Sequence, residues 1–98
     1  MKIYKYPLEF KPEQTINIPM GSNIIALEMQ GKNPCIWAIV SPEAKTTPVI
    51  FRMYMTGEEI DNPQSKAYVG TVQNLGYVLH FFIDNPPSCL HPHKIATE

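Results

Sequence analysis

Charge is scarce in this chain. Asp, Glu, Lys and Arg together make up 17% of 98 residues and nearly cancel, leaving a net charge of −1. That balance excludes a broad electrostatic grip on polymeric nucleic acid, which needs clustered Lys and Arg. A single small phosphate ligand stays open, because one or two placed cations suffice for it. Cysteine is also sparse: Cys35 sits in an apolar run and Cys89 near the C-terminal end. Two thiols with such different neighbours do not form the framework of a small secreted domain and read as reduced and cytosolic. Long hydrophobic runs are missing, and none approaches the roughly 20 residues of a membrane helix. At the N-terminus, Lys2, Lys5 and Glu9 interrupt any signal-peptide core, so the protein is expected in the cytoplasm. No G-x-S-x-G, H-E-x-x-H, P-loop or C-x-x-C motif occurs.

What is abundant is proline. Ten prolines divide the chain, and no long proline-free window has helical spacing. The intervals are rich in Ile, Val, Tyr, Phe and Trp, residues suited to a pleated surface. The reading is all-β, with strands at 2–6, 15–18, 23–30, 35–41, 49–56, 67–73 and 77–84. In the third strand, alternation places Ile25, Leu27 and Met29 on one face. In the fifth, Val49, Phe51, Met53 and Met55 oppose Ile50, Arg52, Tyr54 and Thr56. In the seventh, Tyr77, Leu79, Phe81 and Ile83 oppose Val78, His80 and Phe82. "CIWAIV" is apolar on both faces and reads as a central strand covered on both sides. "GKNP" and "QNLG" mark antiparallel hairpins, with Gly76 suited to the left-handed position of a bulged turn. About seven mostly antiparallel strands and no sizeable helix imply a single small sandwich or partly closed barrel over residues 1–84. A domain this small buries roughly two thirds of its unfolded surface, so one thin core is expected. Residues 85–98, with Pro86, Pro87 and Pro92, read as an extended, disordered tail.

Several residue groups hold possible chemistry. Cys89, His91 and His93 could clip a metal, but structural zinc needs four ligands in a fold that closes round them, and the tail reading is preferred. His80 could act as a general base only beside a nucleophile brought by folding; in "VLHFF" it reads as a hydrogen-bonded structural group. Cys35 reads as a buried small hydrophobe. Glu58, Glu59 and Asp61 could hold a hard cation, but the spacing matches no calcium loop and a solvated loop is preferred. Neither a catalytic centre, a metal site nor a cofactor is expected. A ligand surface has better support. Arg52, Tyr54 and Thr56 share one face of one strand, and Trp37 and Tyr68 could add stacking area. A ring stacks on a base while a guanidinium takes phosphate oxygens. The plainer alternative makes Trp37 and Tyr54 core or interface residues covered by Arg52. Apolar residues on both faces of several strands also suggest association with further copies.

The motifs "IYKYPLE", "QTINIPMGSNIIALEMQ", "PCIWAIVSPEA", "MTGEEI", "YVGTVQ" and "GYVLHFF" resemble, in this order, a family of small uncharacterised proteins of tailed bacteriophages and prophages. The likeness covers residues 2–83. Members often carry Gly-Thr-Gly-His where this chain has "MTGE", so Glu58 stands where a His is common, and they commonly stop near Phe82. The resemblance implies no activity. It implies a phage accessory factor working in the host cytoplasm by binding. The expectation is a non-catalytic homo-oligomer that counteracts bacterial immunity by sequestering a nucleotide signal. The alternatives are an inhibitor of a host defence protein, acting through a sheet edge or the acidic "GEEIDNPQ" loop, and a minor virion or morphogenesis component.

Overall fold

The computed structural model describes residues 1–87 and 91–92. The seven strands are β1 (Lys2–Pro7), β2 (Glu13–Pro19), β3 (Asn23–Gln30), β4 (Asn33–Val40), β5 (Thr46–Met55), β6 (Lys66–Asn74) and β7 (Tyr77–Asp84). A two-residue β8 (His91–Pro92) and one 3-10 turn (Pro63–Ser65) complete the regular structure. The sequence places each of the seven strands within a few residues. No helix among the described residues is long and apolar enough to cross a membrane.

The strands form two sheets packed as a sandwich and not closed into a barrel. Sheet A has the order β1-β4-β3-β8, and sheet B the order β2-β5-β7-β6. All pairings among β1 to β7 are antiparallel; β8 lies parallel to Asn23 and Ile24 of β3. Both expected hairpins, β3–β4 and β6–β7, are present. The chain crosses from sheet A to sheet B after β1. There Leu8 donates its N–H to the Pro34 carbonyl, and the Gln14 side chain bonds both the N–H and the carbonyl of Glu9.

Between the sheets lies one core, built from the inward positions of alternating strands. Ile24, Ile36, Ala38 and Val40 come from sheet A; Ile18, Val49, Phe51, Val72, Leu79, Phe81 and Ile83 come from sheet B; Leu8 joins from the crossover. Alternation in β5 and β7 runs as expected, with Val49, Phe51, Leu79, Phe81 and Ile83 inside.

Three details depart from the sequence reading. In β3 the inward residue is Ile24, not Ile25, because a β-bulge between Ile24 and Ala26 shifts the pleat by one residue before Leu27 and Met29 rejoin the core. The β6–β7 turn is a two-residue connection with both Leu75 (φ 53°) and Gly76 (φ 85°) left-handed; the bulge lies within β6, between Tyr68 and Gly70. β4 is central, between β1 and β3, but only its inward face is covered by the other sheet. Trp37 and Ile39 point outward and are half-buried by their neighbours.

Candidate functional site

The outer face of sheet B brings aromatic, hydroxyl, imidazole and charged side chains together. Alternation in β5 sends Phe51 and Met53 inward, and so sends Arg52 and Tyr54 outward. Antiparallel register with β7 sets Phe82 opposite Arg52 and His80 opposite Tyr54. On β6, Tyr68 lies opposite Phe82 and Thr71 opposite His80, with the bulge between them. Directly opposed residues share a face, so the four strands project one continuous surface.

Three aromatic rings meet there. Phe82 packs edge-on against Tyr54 at 5.8 Å between centroids and against Tyr68 at 5.4 Å. Tyr68 stays 52% exposed, which leaves ring surface open for a ligand to stack on. Beside the rings runs a hydrogen-bond chain. The Tyr68 and Thr71 hydroxyls are bonded; Thr71 Oγ1 is 3.0 Å from His80 Nδ1; His80 Nε2 is 2.8 Å from Thr56 Oγ1. A neutral imidazole has one donor and one acceptor, and each faces a threonine hydroxyl here. Among the described residues no carboxylate hydrogen-bonds the ring. His80 therefore ties β6, β7 and the end of β5 together as a satisfied polar group.

A charged network borders the aromatics. Asp84, at the end of β7, bridges two cations: its Oδ2 accepts from Arg52 Nε at 3.2 Å and its Oδ1 lies 3.3 Å from Lys66 Nζ. Lys66 also donates to the Asp61 carbonyl at 2.6 Å. A terminal guanidinium nitrogen of Arg52 reaches Glu13 on β2 at 3.3 Å. Desolvation opposes the Arg52 charge, but the hydrogen bond that Arg52 donates to Asp84 and the fields of Glu13 and Asp84 outweigh it and raise the guanidinium above its ordinary value.

The 57–65 segment walls two clefts on either side of Tyr54. One, about 370 Å³, is lined by Arg52, Lys66 and Asp84 together with Asp61, Asn62 and Gln64 of that segment. The other, about 270 Å³, is lined by Tyr54, Phe82, His80 and Thr56 together with Glu58 and Ile60. The segment is pinned by the Glu58 carboxylate, which accepts the Met55 N–H at 2.7 Å, and by the hydroxyl of Ser65, which donates to the Asn62 carbonyl at 2.9 Å.

Of the expected ligand residues, Arg52, Tyr54, Thr56 and Tyr68 share this face. Trp37 does not: it lies on β4, opposite Lys5 and Ala26, on the outer face of sheet A across the core. Phe82, Lys66, Asp84 and Glu13 belong to the site and were not singled out from the sequence. The alternation of β7 already set Phe82 on the same side as His80; the pairing of β2 with β5, which brings in Glu13, has no local signal. Cys35 is buried, as expected. Glu58, Glu59 and Asp61 are exposed, and no group of three or more His, Cys, Asp or Glu among the described residues is arranged to hold a metal. Cys89 and His93 of the suggested metal clip lie outside the described residues.

A family model described as a domain of unknown function (DUF7352) matches residues 1–89. The chain belongs to this family. The match spans β1 to β7 and every residue of the candidate face. No curated protein and no solved structure matches the chain.

Proposed function

We propose that this is a non-catalytic accessory protein of a tailed bacteriophage, acting in the host cytoplasm to counter bacterial immunity by sequestering a nucleotide signal. The observation that carries the reading is the placement of Tyr54, Phe82 and Tyr68 beside Arg52 on one sheet face, flanked by clefts of about 370 and 270 Å³. Aromatic faces accept any base, a guanidinium accepts phosphate oxygens, and the amides of Asn62 and Gln64 offer donors and acceptors to base edges. The chain's near-neutral charge fits a small ligand and opposes a polymer. Titration calorimetry against cyclic and linear nucleotides tests this. Binding in the micromolar range or tighter, weakened at least tenfold by Arg52→Ala or Tyr54→Ala, is the expected result. Silence across the whole panel ends it.

The protein acts as a homo-oligomer in this reading, associating through the outer face of sheet A. Ile3 and Ile39 share one row there, and Lys5, Trp37 and Ala26 the next. Lys5 on one side and Glu28 on the other make a charge pattern that complements itself about a two-fold axis.

A second reading, inhibition of a host defence protein, is favoured by the exposed carboxylates of Glu58, Glu59 and Asp61 on the 57–65 segment. A stoichiometric protein partner recovered from host lysate, and lost on charge reversal of these three residues, would favour it over a small ligand.

A further inference from the structure

The four charged groups of the network, Arg52, Glu13, Asp84 and Lys66, differ sharply in how firmly they are held. Lys66 has only 4% of its side chain exposed and Asp84 12%, and they contact each other at 3.3 Å. Separating such a pair would strand a nearly buried charge, so it is a fixed part of the fold. Arg52 and Glu13 are 37% and 52% exposed, and their contact joins one terminal nitrogen to one oxygen. Pairs of this kind gain little over their solvated forms. Glu13 also sits on β2, at the edge of sheet B, where its side chain can return to water freely.

Building on the nucleotide reading, we infer that Arg52 provides a single exchangeable anion slot, filled by the Glu13 carboxylate in the free protein and by one phosphodiester group in the complex. Exchanging one carboxylate for one singly charged phosphate leaves the local charge balance unchanged. Among the described residues lining the cleft, each further phosphate charge would meet no spare cation, since Lys66 is committed to Asp84, and would lie near the carboxylates of Asp84 and Asp61. The site therefore selects nucleotides with one diester charge beside each base over polyphosphates. The spacing agrees: Arg52 and Tyr54 are two residues apart along β5, roughly 7 Å, a separation a nucleotide spans between its phosphate and its ring.

Calorimetry at fixed ionic strength with a 3′,5′-cyclic mononucleotide and with a nucleoside 5′-triphosphate, on the wild type and on Glu13→Gln, tests the slot. The expected result is tenfold or more tighter binding of the cyclic form, and a further three- to tenfold gain in Glu13→Gln. Equal or tighter binding of the triphosphate, or no gain in Glu13→Gln of unchanged circular dichroism, overturns the slot and leaves the nucleotide reading standing. A separate readout covers the opposite failure. Titration with dimethyl phosphate, followed by the Arg52 Nε–H resonance, should shift that signal more in Glu13→Gln than in the wild type. If it does so while every nucleotide is calorimetrically silent, the slot stands and the nucleotide reading falls; a signal unmoved in both proteins removes the slot.

Discussion

Gly70 is a glycine at which the sandwich leaves no room for a side chain. A Cβ built there would lie 3.0 Å from Leu27 Cδ2 and 3.2 Å from Leu27 Cβ, across the contact between β6 and β3. The second distance involves an atom fixed to the backbone, so a rotamer change of Leu27 cannot relieve it. Gly70→Ala should therefore destabilise the protein by about 1–2 kcal/mol, because overpacking exceeds the entropy gained by removing a glycine. Chemical denaturation measures this, and an unchanged or raised midpoint would show that the two sheets separate easily at this point. The close approach was invisible in the sequence: "YVGTV" shows a glycine in a strand but not which side chain lies against it.

Among the elements, β5 and β7 were legible and β3 and β6 only partly so. The first two alternate without interruption, so Val49, Phe51, Phe81 and Ile83 on one side and Arg52, Tyr54, His80 and Phe82 on the other follow from spacing alone. β3 and β6 each contain a bulge, and a bulge reverses the facing of every residue on one side of it. "IIAL" offers two adjacent isoleucines that are chemically alike, so nothing local decides which one turns inward. A pair of substitutions separates them. Ile24→Ala should cost about 2–4 kcal/mol, the usual range for truncating a filled core position. Ile25→Ala, on a half-buried residue outside the core cluster, should cost less than about 1 kcal/mol. Urea melts of the two variants measure the difference, and equal losses would place the bulge elsewhere.

At the scale of the molecule, fold class followed from composition and pattern, while sheet order did not. Hairpins β3–β4 and β6–β7 join strands close in sequence, but the β1–β4, β2–β5 and β5–β7 ladders join distant ones, and no short-range signal records them. Those ladders set which outward residues become neighbours. They brought Glu13 and Asp84 to Arg52, and they carried Trp37 to the opposite side of the core. On that opposite side Ile3 is 61% exposed, beside Ile39 and one row from Trp37. Sedimentation should show a species heavier than the 11.1 kDa single chain, and Ile3→Glu should shift it to that mass with the fold unchanged. A wild type that sediments as a single chain at 100 μM would sink the association.

Trp37 is the one tryptophan in the sequence, and its place on sheet A sets it apart from the candidate ligand face. Indole emission registers events at the outer face of sheet A, whereas Tyr54 and Tyr68 lie on the outer face of sheet B, across the core. Assembly can thus be followed through Trp37 emission alone, with no label attached.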